Sequence, residues 1–160
     1  MKSRRRNRAQ PGELDEKKVL LVVTGGIAAY KSAFLVRSLK RAGGDVRVLM
    51  TAAASEFVTP LTFEVLSDNP VPMDMFAGRA GSTVRHVELA GWPDLVVVAP
   101  ATADFIGKMA GGLAGDLPSA VLCATRRPVL LAPAMNDGMW ADPAVRRNIA
   151  ALERDGVRFV

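Results

Sequence analysis

The chain is punctuated by short runs of apolar residues, and these runs limit the fold more than any other feature. Residues 19–23 read Val-Leu-Leu-Val-Val, apolar at every position. A strand with one wet face would alternate in polarity. A run that is apolar on both faces belongs inside a parallel sheet covered by helices on each side. Further runs recur at 46–50, with one arginine, at 95–99 and 129–132, and at 157–160, again with one arginine. Between the first two, residues 27–42 read as a helix with Ala28, Leu35, Leu39 and Ala42 on one face. Gly43-Gly44 stops that helix. Residues 143–154 read as a second helix, opened by Pro143 with Asp142 as N-cap and ended by Gly156. Such alternation requires right-handed crossovers between parallel strands. The expected class is α/β: a three-layer, Rossmann-like (flavodoxin-like) parallel sheet with helices on both faces.

The segment 52–92 breaks this rhythm. It holds Pro60, Pro70 and Pro72 and a glycine-bearing stretch from Gly78 to Gly81. It reads as a short helix around 61–66 followed by a long loop. A loop of that length within a compact domain is usually functional.

Composition narrows the function classes. No apolar run approaches the roughly 20 residues of a membrane-spanning helix. The single cysteine, Cys123, excludes a disulfide framework and a cysteine-based zinc cluster within one chain, and the single histidine, His86, excludes a site needing two histidines unless a second subunit supplies the other. Cys123 sits among apolar neighbours and is expected to be buried. Residues 1–18 carry seven basic and three acidic side chains, and so +4 of the net charge of +5. The body is nearly neutral. This divides the chain into a basic, disordered tail at 1–18 and a folded domain at 19–160. The apolar final strand makes a truncated domain the expectation. The basic tail could touch nucleic acid or an acidic surface, but a solvated extension is the expectation, and neither nucleic acid nor membrane is an expected partner. With no export signal and no cysteine pair, the expected location is cytoplasmic.

Three turns carry groups suited to a bound anion. The first strand runs into Thr24-Gly25-Gly26-Ile27-Ala28-Ala29. Glycines between strand and helix let the backbone approach a ligand, and the helix start offers free N–H groups. The spacing differs from the dinucleotide fingerprint G-x-G-x-x-G. The second strand ends in Met50-Thr51-Ala52-Ala53, where a hydroxyl and small side chains suit a phosphate better than a ribose diol. The third is followed by Pro100-Ala101-Thr102-Ala103-Asp104-Phe105. Ligands in open α/β sheets bind at this carboxyl edge. Together the turns read as a mononucleotide site, although Asp104 alone would also serve as a helix-start residue.

The fourth strand ends in Pro133-Ala134-Met135-Asn136-Asp137-Gly138-Met139-Trp140. Asn136 has an amide able to hold a carboxylate, or alternatively to cap a turn. Met135, Met139 and Trp140 offer apolar walls. His86, in Val84-Arg85-His86-Val87-Glu88-Leu89, is the one imidazole and the candidate base, a structural role being the alternative.

Five segments taken in order resemble the flavin-containing cysteine decarboxylase family. They are Val23-Thr24-Gly25-Gly26-Ile27-Ala28-Ala29-Tyr30-Lys31, Pro60-Leu61-Thr62-Phe63, His86-Val87-Glu88-Leu89, Pro100-Ala101-Thr102-Ala103-Asp104 and Pro133-Ala134-Met135-Asn136. The resemblance implies FMN as cofactor, bound at the contact between subunits of a homotrimer that can assemble further into a dodecamer. It assigns flavin contacts to Gly25, Gly26, Ile27, Thr51, Thr102, Ala103, Asp104, Phe105 and Ala134. It makes His86 the catalytic base, and Asn136 with Met135 the grip on substrate. The stretch from Thr24 to Lys31 favours the branch that decarboxylates 4′-phosphopantothenoylcysteine to 4′-phosphopantetheine in coenzyme A biosynthesis. A peptidyl-cysteine decarboxylase and a non-catalytic flavin-binding interaction protein are the alternatives. The family's reductive cysteine would fall just beyond Val160, and Cys123 does not match it.

Overall fold

The computed structural model describes residues 12–75 and 82–160. Five strands form one all-parallel sheet: β1 (Lys18–Val23), β2 (Asp45–Met50), β3 (Leu95–Ala101), β4 (Val129–Pro133) and β5 (Arg158–Phe159). Their order across the sheet is β2-β1-β3-β4-β5. This is the doubly wound α/β arrangement expected from the sequence. β1 and β2 pair in continuous register from Lys18↔Asp45 to Val23↔Met50.

Both faces of the sheet are covered, which is why the central strands β1, β3 and β4 are apolar almost throughout, while the edge strands β2 and β5 carry Arg47 and Arg158. On one face Val19, Leu21, Val23, Val46 and Val48 pack under α1 (Ala29–Arg41) and α2 (Pro60–Ser67), through Ala29, Val36 and Phe63. On the other, Leu20, Val22, Val96, Val98 and Leu131 meet α3 (Ser82–Gly91), α4 (Ala103–Ala110), α5 (Leu117–Ala124) and α7 (Pro143–Arg154). A short α6 (Asp137–Ala141) precedes α7. Asp142 caps α7 as expected, its Oδ1 accepting from the N–H groups of Ala144 and Val145.

Three expectations are corrected. The segment after α2 is not loop throughout, since residues 82–91 form α3. Leu89 and Ala90 bury against the core there, a tertiary gain that the proline- and glycine-rich lead-in conceals. Cys123 is exposed, because α5 buries Leu117, Ala120 and Val121 and turns the cysteine away. Residues 12–18, assigned by composition to the tail, join the body. Leu14 N–H donates to Ala42 O at 2.8 Å, and β1 begins at Lys18. The rest of that tail, residues 1–11, lies outside the described residues, as does the Gly78 to Gly81 stretch. Among the described residues no helix is long and apolar enough to cross a membrane.

Candidate active site

The chain reverses its direction of winding between β1 and β3, and at such a point the two flanking turns diverge and leave a crevice. A cleft of about 970 Å³ opens there. Its size falls within the roughly 300–1,000 Å³ of pockets that enclose small ligands. The turn after β1 contributes Gly25, Gly26 and Ile27, and the turn after β2 contributes Thr51. Thr102, Ala103, Asp104 and Phe105 come from the start of α4, and Ala134, Met135 and Asn136 from the end of β4. Residues 110 positions apart in sequence thus line one cavity.

The local geometry explains the residue types. A Cβ on Gly25 would stand 2.3 Å from the Cβ of Ala53, so the β1 turn can lie against the turn after β2 only as glycine. Gly26 would meet nothing closer than Thr102 Cγ2 at 3.4 Å. Thr24 is spent on structure. Its hydroxyl donates to Pro100 O at 2.6 Å and accepts from Thr102 N–H at 3.0 Å. Thr51 and Thr102 cap the short helices that follow them, their Oγ1 atoms accepting from Ala54 N–H and Phe105 N–H. Each still has a hydroxyl proton to donate. Phe105 reaches the cleft wall, yet its side chain is fully buried in the core. The glycine turn, two donating hydroxyls and the N-terminus of α4 form a donor set that fits the phosphate end of a mononucleotide.

Of the two roles that the sequence left open for Asn136, the structure shows the cap, and it leaves the side chain at the cleft. Its Oδ1 accepts from Met139 N–H at 2.8 Å as the N-cap of α6. That bond fixes which end of the amide is which, and leaves the NH₂ end as a donor at the cleft. Met139 also lines the cleft; Trp140 instead lines a separate recess with Pro133 and Val160.

His86 is not brought to this cleft. It lies half-buried on α3, and its Nδ1 is buried without a hydrogen-bond partner among the described residues. Sequence reasoning missed two charged residues of the cleft, Lys108 and Asp116. Lys108 follows Asp104 at the i,i+4 spacing of a helical ion pair, which was the available signal.

The model of the flavoprotein family matches residues 7–160. The chain belongs to that family. It is 48% identical over 147 residues to the coenzyme A biosynthesis bifunctional protein of Bacillus subtilis (strain 168), covering 92% of this chain and 36% of that protein. The Escherichia coli (strain K12) protein of the same name is 46% identical over 141 residues, covering 88% and 35%. The chain thus spans about a third of the length of these relatives. Among solved structures, the FMN-dependent cysteine decarboxylase SpaF superposes with a TM-score of 0.85 at 33% identity, covering 91% of this chain and 83% of that one. A PPC decarboxylase variant complexed with pantothenoylaminoethenethiol gives 0.82 at 30% identity, covering 90% and 81%.

Proposed function

We propose that this chain is an FMN-binding decarboxylase domain. Its reaction is the decarboxylation of 4′-phosphopantothenoylcysteine to 4′-phosphopantetheine, a step of coenzyme A biosynthesis. One observation carries the reading: a single cleft is lined both by a donor set suited to a phosphate and by the amide of Asn136. The similarity to proteins named for coenzyme A biosynthesis, and to a structure named PPC decarboxylase, supports the choice of substrate.

Gly25, Gly26, Ile27, Thr51, Thr102, Ala103, Asp104, Phe105 and Ala134 would hold FMN. When bound, FMN supplies a reversible two-electron acceptor for the CH₂–SH end of the substrate. The NH₂ of Asn136 donates to the substrate carboxylate, with Met135 beside it. His86 accepts the thiol proton. Once the sulfur-bearing carbon is a C=S group, the electrons released with carbon dioxide have somewhere to go, and an enethiol results. Forming the saturated thiol would then require both the return, as a hydride, of the two electrons taken from the CH₂–SH end and a proton donor.

One copy of the chain leaves His86 away from the cleft, so the reading requires a second copy to deliver it. An exposed apolar face supports such an assembly. Ile27, Tyr30 and Phe34 on and before α1 continue into Phe57, Leu61 and Val65 on and before α2, all of them exposed. Ile27 belongs to both this face and the cleft. A homotrimer, able to build a dodecamer, is the proposed state, and the cytoplasm the proposed location.

The test is incubation of the purified protein with 4′-phosphopantothenoylcysteine and, separately, with a peptide ending in cysteine. Carbon dioxide release and product mass are the readouts. Turnover of the first alone supports the proposal. Turnover of the peptide alone moves the assignment to the peptidyl-cysteine alternative. Bound flavin with neither turnover makes the chain a flavin-binding protein without this chemistry.

A further inference from the structure

All the charged side chains that line the cleft, among the described residues, sit together: Asp104, Lys108 and Asp116. Lys108 Nζ lies 3.1 Å from Asp104 Oδ2 and 3.4 Å from Asp116 Oδ2. Helical side chains lean toward the helix N-terminus. Asp104 stands in the first turn of α4, so the ammonium that reaches it is drawn back toward that turn, whose Thr102 and Ala103 line the same cleft.

The two carboxylates hold Lys108 differently. Asp104 is largely exposed, its side chain 76% accessible. Asp116 is fixed by a capping box at the start of α5, its Oδ1 accepting from Ser119 N–H at 2.8 Å. Asp116 therefore sets where the ammonium points. An ammonium has three protons to donate, and the two carboxylates use two. The trio carries a net charge of −1, so an anionic ligand would be repelled unless Lys108 faces it. Hydrogen bonding to Asp104 outweighs burial and keeps the lysine pKa above its ordinary value, so the charge persists at neutral pH.

We infer that Lys108 is an anion-binding residue of the cleft, its ammonium aimed by Asp116 and donating to an anionic oxygen of the molecule bound there. The inference rests on the flavin-nucleotide reading given above. The lean of the ammonium toward the first turn of α4 favours the nucleotide phosphate as the source of that oxygen. The substrate carboxylate is the other source with the same chemistry. Nothing in an ordinary i,i+4 surface pair requires a ligand, so the test must move a quantity that a strut would leave alone.

Lys108→Gln and Lys108→Arg would be compared with the parent by titration of the flavin-free proteins with FMN and with riboflavin, followed by steady-state kinetics. Loss of one charge-assisted hydrogen bond is worth roughly 10-fold or more in affinity. Lys108→Gln should weaken FMN by about that factor while leaving riboflavin within about 2-fold, and Lys108→Arg should retain FMN. Unchanged FMN affinity with a KM about 10-fold higher at near-parent kcat also supports the inference and makes the substrate the source. Equal loss of FMN and riboflavin overturns it, because that is what a collapsed wall would give. So does a Lys108→Gln protein matching the parent in all three quantities. A parent that binds no FMN fails the reading beneath it, and is recognised because the failure is already present without any substitution.

Discussion

The hydroxyl of Thr24 donates to the carbonyl of Pro100 at 2.6 Å, linking the carboxyl ends of β1 and β3 at the point where the sheet changes its winding direction. Thr24 is 1% exposed, and the same oxygen accepts from Thr102 N–H at 3.0 Å. Two walls of the cleft are thereby tied to one buried atom.

Replacing Thr24 with valine keeps the shape and removes its hydrogen bonds to Pro100 and Thr102. A buried carbonyl and a part-buried N–H are then left unpaired, at a cost of about 1–3 kcal/mol. The midpoint of denaturant unfolding should fall accordingly without a change in slope. A loss below about 0.5 kcal/mol, the scale of an ordinary surface substitution, would contradict the role given to this hydroxyl.

Asn136→Asp separates the two tasks of that side chain. Aspartate caps a helix about as well as asparagine, so thermal stability should hold within about 0.5 kcal/mol. The donor toward the substrate is lost and replaced by a like charge. Flavin should stay bound while substrate no longer perturbs its absorbance. Retained substrate binding would remove Asn136 from the carboxylate site.

His86→Asn should leave flavin bound and abolish its reduction on anaerobic mixing with substrate. If the histidine serves the cleft of another copy, co-expression of His86→Asn with Asn136→Asp restores sites that contain both intact residues. Activity should then reappear in the mixed protein although each variant alone is inactive. Mixed oligomers with no activity would mean that His86 and Asn136 act within one chain or do not act together.

The apolar face on α1 and α2 gives a prediction that needs no substrate. Sedimentation at micromolar concentration should report a trimer or a multiple of it. Phe34→Asp, placing a charge on a side chain that is 65% exposed in the single chain, should shift the distribution toward smaller species. A parent that sediments as a monomer with flavin bound would contradict the assembly.

The cap of α5 has a pH signature. Burial by itself would push the Asp116 carboxyl up, but hydrogen bonds from Ser119 and the nearby Lys108 charge overcome it and hold the pKa below its ordinary value. A depressed carboxylate stabilises the fold above the unfolded pKa, about 3.9 for aspartate, and loses that contribution as pH falls through the folded value. The parent should therefore exceed Asp116→Asn in stability by a constant margin from about pH 5 to 7, and the margin should shrink below about pH 4. A margin that grows on acidification would reverse the sign assigned here.

How far the sequence reached follows from the range of the forces involved. The strands were legible because a sheet covered on both faces demands runs such as 19–23, and Gly43-Gly44 and Asp142-Pro143 mark boundaries by local backbone chemistry. That the three turns and the end of β4 would share one cavity was legible, because the carboxyl ends of parallel strands converge at one edge; the residues that the resemblance assigned to flavin line that cleft together with Asn136. What depends on contacts far apart in the chain was not. Helix α3 is held by packing of Leu89 and Ala90 on the core, and local propensity around Gly78 to Gly81 argued against it. The exposure of Cys123 depends on which face α5 turns to the sheet. The Lys108 and Asp116 pair depends on α4 and α5 meeting beside the cleft. His86 shows the difference most sharply: its residue type announced an acid–base role, but only the tertiary structure set it on α3, away from the cleft of its own chain. Local sequence determines which segments bend, cap or extend, since those energies act within a few residues. Which side chains then share a cavity is decided by how the helices close over the sheet.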